Sequence, residues 1–213
     1  MDAMTMSGTK VEGYEKFDAD LDKIIVGKIE KIEKHPDADK LVVCQVAIDE
    51  EGTTTQIVTG TSNVKEGQKV PVVLDGGRVA GGHDGKKVAG GVKIKKGKLR
   101  GVESNGMMCS IEELGSSTDF YPDAAEDGIY ILSDNPEYKD APVGSDAIAL
   151  LGLRDADFEY EVTSNRVDCF GVLGIAREAA ATFQKKFVPP VVTATGNDED
   201  VNDYVKVTVE DKD

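Results

Sequence analysis

The sequence DKIIVGKIEKIEKHPDADKLVVCQVAI, residues 22–48, contains a long strand, a turn and a second strand, and the remaining elements extend from it. Apolar and polar residues alternate over residues 22–34, as expected of a half-buried strand. Residues 35–40 have turn chemistry, because Pro36 fixes φ and removes a donor while the aspartates can close Asx turns. The apolar run 41–48 then predicts a buried strand.

Three further short segments complete a β-rich pattern. They span residues 56–60, 68–74 and 106–110, and turn residues separate them. Five short strands with this punctuation favour a small closed barrel over a βαβ sheet. Past the barrel the pattern predicts a helix at 110–115 with Ser110 as cap, a strand at 128–132 and a brief helix after Asp146. It then predicts a strand at 158–163, a helix that is capped by Asp168 and ends near Phe183, and a last strand at 204–209.

The composition is that of an ordinary soluble globular protein, with 39% hydrophobic and 31% charged residues. Three widely spaced cysteines without a CxxC pair favour a reducing compartment, where they would act as small buried hydrophobes. No apolar run approaches the roughly 18 residues of a membrane span, and the N-terminus lacks a secretion signal. The sequence therefore predicts a cytoplasmic protein without a membrane partner.

Charge is distributed unevenly along the chain, whose formal net charge is −15. Residues 78–100, RVAGGHDGKKVAGGVKIKKGKLR, contain eight basic residues and one acid, a local net charge of +7, so the rest of the chain sums to −22. Such a basic stretch focuses a positive field at one place on an otherwise acidic body. The candidate RNA-binding cations are Arg78, Lys86, Lys87, Lys93, Lys95, Lys96, Lys98 and Arg100.

The basic stretch has the composition of a phosphate-binding hairpin. Its lysines would release counterions from phosphates, and its glycines let a sugar-phosphate chain come close to the backbone. In an extended segment Lys93 and Lys95 share one face and Ile94 faces the core. The stretch contains no Phe, Tyr or Trp, so recognition would rely on shape and phosphate, which suits a folded RNA. A solvated hairpin with lysines for solubility is the alternative.

Catalytic and metal-binding motifs are weak in this sequence. His35, Asp37 and Asp39 could hold a metal, but no second histidine or cysteine pair is near, and a turn with Asx hydrogen bonds is favoured. The GGHDGKK segment lacks the first glycine and the Ser or Thr of a P-loop. Neither Cys109 nor His83 has a recognisable partner for nucleophilic catalysis. The sequence therefore contains no catalytic constellation.

Three phrases stand out: HPDADKLVVCQV (35–46), KIKKGKLRGVESNGMMCSIEELG (93–115) and VTSNRVDCFGVLGIAREAAATF (162–183). In this order and spacing they resemble the N-terminal part of the beta subunit of bacterial phenylalanyl-tRNA synthetases. The first two also resemble the wider tRNA-binding OB-fold family, and the third distinguishes the synthetase subunit from those relatives. The resemblance places Ser104, Asn105 and Met107 on or next to the RNA-facing surface.

The resemblance implies a mainly β fold, a five-stranded OB-fold barrel inserted into a small, partly truncated α+β domain. The implied segments are 1–21 and 153–192 for the α+β domain, 22–152 for the tRNA-binding OB-fold domain with its extension, and 193–213 for a linker and the first strand of an absent editing domain. Family members form a class II, ATP- and Mg²⁺-dependent ligase, an (αβ)₂ heterotetramer whose catalytic centre lies in the alpha subunit. This chain is expected to bind tRNA in an auxiliary role, without a catalytic site, metal or cofactor of its own.

Three alternatives remain open. The barrel could be a scaffold that binds another protein domain of the synthetase, with incidental lysines. It could be a stand-alone tRNA-binding protein. It could also be a small enzyme that uses a metal at His35, Asp37 and Asp39. No DNA partner is expected under any of them.

Overall fold

The computed structural model describes residues 1–82 and 86–211. The loop residue His83 and the acid Asp84 therefore lie outside the described residues. The described helices are α1 (Asp2–Met6), α2 (Ala147–Leu150) and α3 (Val172–Thr182), with 3₁₀ helices at Leu132–Asp134, Val167–Cys169 and Val201–Asp203. The described strands are β1 (Lys10–Lys16), β2 (Asp22–Lys34), β3 (Val42–Ala47), β4 (Thr54–Thr59), β5 (Lys69–Gly81), β6 (Lys87–Lys93), β7 (Gly97–Leu99), β8 (Val102–Ser104), β9 (Gly106–Met108) and β10 (Ala156–Glu161).

The chain forms two compact units. The larger unit comprises residues 13–159, and the smaller unit combines residues 1–12 with residues 160–213. The smaller unit is thus assembled from two segments that are distant in sequence. The four domain segments expected from the resemblance stay a prediction.

The larger unit contains a curled antiparallel sheet with the strand order β4-β3-β2-β5-β6, and β9 also pairs with β5. In its registers Val26 lies opposite Pro71, and Val72 lies opposite Met108. The sheet forms a half-barrel, which confirms the predicted mainly β, OB-like fold in an α+β setting. β6 is an additional strand, which the sequence did not separate from the rest of the basic stretch.

The apolar side chains that alternate with polar ones along the strands fill the interior of the half-barrel. Val26, Val46, Ile57 and Val72 are each fully buried. Burying one such side chain contributes about 1.5–3 kcal/mol. The apolar side chains of the long β2–β5 strands therefore provide the core against which the basic stretch is positioned.

The strand predicted at 128–132 is absent from the structure. The Tyr130 N–H donates to the carbonyl of Cys109 at 3.1 Å, and a 3₁₀ helix begins at Leu132. The apolar side chains alternate between two core clusters, with Ile129 and Ile131 in one and Tyr130 and Leu132 in the other. The alternation therefore reports burial on two faces, which a segment can achieve without joining the strand ladder of a sheet.

The two short helices predicted after the barrel have different outcomes. Residues 110–115 form a turn, although the capping contacts are present: the Ser110 N–H donates to the Glu113 carboxylate at 2.8 Å, and the Glu113 N–H donates to Ser110 Oγ at 3.2 Å. Gly115, at φ +80°, ends this turn before a helix can propagate. The helix after Asp146 is confirmed as α2, and the Asp146 carboxylate accepts two N–H groups of its first turn.

The C-terminal predictions are only partly met. β10 pairs with β1, so the strand predicted at 158–163 forms two residues earlier. α3 begins at Val172 with Gly171 as its N-cap, and Asp168 does not cap it because its carboxylate binds Arg166 instead. Residues 204–209 lie in no strand of the described structure, because an alternating segment needs a partner strand for its backbone hydrogen bonds.

The cysteines are buried, as predicted, and this has a chemical consequence. Burial raises the pKa of the Cys44 thiol to about 11 and also raises the pKa of the Cys109 thiol. A rise of two units from the ordinary value near 9 lowers the thiolate fraction at pH 8 about 100-fold. We expect Cys44 to react with a thiol reagent at pH 8 at least about 100-fold more slowly in the native protein than in urea, because its sulfur is fully buried as well as largely protonated. Equal rates would show that β3 is open to solvent.

Candidate nucleic-acid interface

The basic stretch is fixed to β5 by backbone hydrogen bonds. After β6, Gly76 and Ile94 continue the pairing, because the Gly76 N–H donates to the Ile94 carbonyl at 2.8 Å. The Ile94 N–H donates to the Gly77 carbonyl at 2.9 Å, and the Lys96 N–H donates to Asp75 Oδ1 at 2.7 Å. The backbone that carries the lysines after β6 is therefore fixed in place by hydrogen bonds to residues 75–77.

The end of the basic stretch, from Gly97 to Arg100, forms the first strand and the tip of the β7–β8 hairpin. Leu99 pairs with Val102, and the two residues between them, Arg100 and Gly101, have φ of +47° and +90°. Two successive left-handed residues in a two-residue loop match the twist of the flanking strands. The turn places the Arg100 side chain at the exposed tip of the hairpin.

All eight candidate cations are exposed. Lys87 lies 3.4 Å from the Glu15 carboxylate, and Arg78 Nη1 donates to the Gly90 carbonyl at 3.4 Å. Within residues 1–82 and 86–211, no ion pair involves the five cations from β6 to the hairpin tip: Lys93, Lys95, Lys96, Lys98 and Arg100. These five, called the cationic segment below, lie in one continuous run of eight residues and are free to bind an external anion.

The expected alternation around Ile94 is confirmed. Lys93 and Lys95 are exposed, whereas Ile94 is half-buried and packs against a core cluster. The backbone pairing of Ile94 with β5 explains the alternation, since successive side chains of an extended segment point to opposite faces.

The two polar residues suggested by the resemblance lie in different environments. Ser104 is only 4% exposed, and its hydroxyl both accepts from the Val58 N–H and donates to the Gly106 carbonyl, each at 3.1 Å. Its side chain therefore joins β4 to β9, and its place on or next to an RNA-facing surface stays a prediction. Asn105 is half-buried and its N–H donates to the Gln56 carbonyl at 2.8 Å, so its RNA role stays a prediction.

His35 connects the turn before β3 to the basic hairpin, and sequence reasoning missed this role. The side chain is 6% exposed, with Nε2 at 3.0 Å from the Leu99 carbonyl and Nδ1 at 3.1 Å from the Asp37 backbone nitrogen. Because a backbone N–H can only donate, Nδ1 is the acceptor and Nε2 carries the hydrogen that Leu99 receives. Both ring nitrogens are thus engaged, which contradicts the alternative of a metal site with Asp37 and Asp39.

Aromatic side chains reach the basic surface from another strand. Tyr14 and Phe17 line a second groove, of about 380 Å³, together with Lys87. Tyr14 also stacks on Phe158, with ring centroids 5.9 Å apart. The basic stretch contains no aromatic residue, but the fold supplies exposed rings beside one of its lysines.

A cluster of possible metal ligands in the smaller unit is already neutralised. Asp168, Cys169 and Glu178 place their ligand atoms within 4.8 Å of one another. Arg166 Nη2 lies 3.0 Å from Asp168, 2.8 Å from Glu178 and 3.1 Å from Cys169 Sγ. The guanidinium holds the pKa of the Asp168 carboxyl below its usual range. This cluster is an ion-pair network, with a protein cation where a metal would lie.

None of the helices in the described part of the chain combines the length and apolarity needed to cross a membrane.

Residues 24–129 match the family described as a putative tRNA binding domain. The chain is 44% identical over 211 residues to the phenylalanine–tRNA ligase beta subunit of Clostridium tetani. The aligned region covers 99% of this chain and 24% of that protein. The beta subunit of Clostridium acetobutylicum is 45% identical over 186 residues, an alignment that covers 87% of this chain and 21% of that protein. The beta subunit of Staphylococcus aureus is 40% identical over 210 residues, which cover 99% of this chain and 24% of that protein. The chain thus spans about a quarter of the length of the curated relatives it matches.

Two solved structures are also similar. A MetRS-related protein from Pyrococcus horikoshii is 24% identical, with 59% of this chain and 87% of that chain covered and a TM-score of 0.35. The C-terminal domain of Plasmodium vivax p43 is 27% identical, with 44% and 48% covered and a TM-score of 0.31. These TM-scores are too low to support an inference, whereas the sequence relatives match over nearly the whole chain. The chain belongs to the phenylalanine–tRNA ligase beta subunit family, and its residues 24–129 are the putative tRNA-binding domain.

Proposed function

We propose that this chain is an auxiliary tRNA-binding module of a phenylalanine–tRNA ligase beta subunit and grips tRNA through its basic stretch. The observation that carries this proposal is the cationic segment, in which five neighbouring side chains are exposed and unpaired among the described residues. They lie on a chain whose net charge is −15. A polyanion would therefore be attracted to this one surface and repelled by much of the rest.

The chemistry of the segment favours phosphate over base recognition. Lysine is a flexible point charge, and each lysine near a phosphate releases counterions without regard to base sequence. Close spacing of the cations matches the close spacing of phosphates on a folded RNA. The proposed role is sequence-nonspecific gripping of tRNA.

The parent assembly is proposed from the family. In it, an alpha subunit would supply the ATP- and Mg²⁺-dependent aminoacylation centre, two copies of each subunit would form an (αβ)₂ heterotetramer, and the location would be cytoplasmic. The described residues of this chain offer lysines and hydrogen-bonded turns for RNA binding, and the one histidine they include is fully engaged in hydrogen bonds.

A salt-dependent titration tests the proposal. We expect fluorescently labelled tRNA to bind the 213-residue protein about 500-fold more weakly at 200 mM than at 50 mM monovalent salt, because five phosphate contacts predict a slope of about −4.5 in a log–log plot. An absence of binding at both salt concentrations would overturn the proposal and favour the protein scaffold. Binding that does not depend on salt would exclude the cationic segment as its origin.

A further inference from the structure

A groove lies directly beside the cationic segment in the larger unit. Its volume is about 670 Å³, within the range of small-molecule sites, and its lining includes the end of β4, residues 94–95 and 97–99, and β9. Two of the unpaired cations, Lys95 and Lys98, contribute to this lining. The groove is therefore continuous with the proposed phosphate-binding surface.

The same groove has an apolar part that a phosphate contact does not need. Ile94 and Met107 are half-buried there, and Leu99 is 41% exposed although it stands between two basic residues. Leu99 is the one large apolar side chain between Lys98 and Arg100, and it lines the groove. Its position in the groove wall gives it a surface on which a flat, weakly polar group can rest.

Two acidic side chains, Glu113 and Asp127, line the groove together with the two lysines. Glu113 is buried, and its carboxylate accepts the Ser110 N–H at 2.8 Å, so it is committed to the turn that follows β9. Asp127 is exposed and lines the groove as a hydrogen-bond acceptor. The groove thus combines two exposed cations, an apolar surface, the exposed acceptors Ser62 and Asp127, and a buried carboxylate that is held by the turn.

We propose that this groove receives one unstacked nucleotide of the RNA. Its base rests on Ile94, Leu99 and Met107, and its phosphate lies at Lys95 and Lys98. A methionine thioether makes favourable contacts with an aromatic ring, so a base can be held here without a Phe, Tyr or Trp. An apolar peptide side chain would leave both cations unmatched, whereas a nucleotide matches the cationic and the apolar parts together. The inference rests on the proposed function and extends it from phosphate gripping to recognition of single-stranded RNA.

The methionine methyl groups provide a direct readout. With ¹³C-methyl methionine in the 213-residue protein, we expect the Met107 methyl resonance to shift on addition of a single-stranded RNA hexamer and of tRNA. A blunt RNA duplex should bind through its phosphates and leave the Met107 resonance in place. The Met4 methyl, buried in the smaller unit, is the internal control.

A substitution in the groove wall separates the base from the phosphate contribution. We expect Leu99→Ser to weaken hexamer binding about tenfold with an unchanged salt slope, and to leave duplex binding unchanged. Phe120→Ser, which removes an exposed apolar side chain that does not line the groove, should have no effect. If tRNA binds but Met107 stays silent and Leu99→Ser binds the hexamer normally, the nucleotide site is wrong and the gripping function stands. If no RNA binds, both are wrong.

Discussion

Replacing Lys93, Lys95, Lys96 and Lys98 with glutamate should weaken tRNA binding at least about 100-fold at 50 mM salt and make the salt slope shallower by about 3 to 4. These four lysines are exposed and make no ion pair within the described ranges, so their charge is available to phosphates. Reversal would change the charge by −8 and turn an attractive surface into a repulsive one. Affinity measured across a salt series checks both numbers.

A matched control keeps the total charge equal. Lys65, Lys139, Lys185 and Lys186 are also exposed and lie outside the basic stretch, and their replacement with glutamate produces the same change of −8. We expect this control to keep its salt slope and to lose only a few-fold in affinity from the change in overall field. Equal losses in both variants would mean that net charge, and not the cationic segment, determines binding. Circular dichroism of both variants verifies the fold.

Replacing His35 with alanine should release the basic hairpin. The Leu99 carbonyl and the Asp37 N–H would each lose a partner in contacts that are partly buried. An unsatisfied buried group costs about 1–3 kcal/mol, so we expect the free energy of unfolding to fall by about that amount. Faster hydrogen exchange across residues 97–104 and a tRNA affinity about tenfold lower would follow, because binding would have to order Lys98 and Arg100 again.

Two conservative variants distinguish positioning from general stability. In His35→Gln the longer amide can donate towards Leu99, whereas the shorter amide of His35→Asn can accept from Asp37 but does not extend as far. We expect glutamine to restore slow hydrogen exchange in the hairpin and tRNA affinity, and asparagine to restore mainly the turn at residues 35–40. If His35→Ala unfolds more easily but exchanges hydrogen normally at 97–104, His35 does not position the hairpin.

The sequence predicted the barrel strands well because their period is strong. Residues 22–34 and 41–48 alternate or run apolar over long stretches, and both form strands close to these limits. β6 was not predicted, because KKVAGGVK has too little apolar character to separate it from a loop. The segment at 204–209 shows the opposite case, since a period of two describes side chains and cannot supply a neighbouring strand.

The sequence predicted which residues of the candidate site carry charge, but it did not predict which other residues they contact. The positions of the cations can be read from the sequence, but which carboxylates lie near them depends on packing, as the pairing of Lys87 with Glu15 shows. The burial of Ser104 was not predicted, because a serine in a closing strand has no sequence signal for burial. The contact between His35 and Leu99 spans 64 residues, so no local pattern reports it.

The apolar run 129–132 sets a practical limit on transplanting the barrel. The family match ends at residue 129, yet Tyr130 and Leu132 are fully buried, and Ile148 of α2 completes the same cluster. A chimera that borrowed only the matched segment would expose this interior and invite aggregation. Residues 13–159 contain the whole core, so this segment is the one to transfer when the RNA-binding domain is grafted onto another protein.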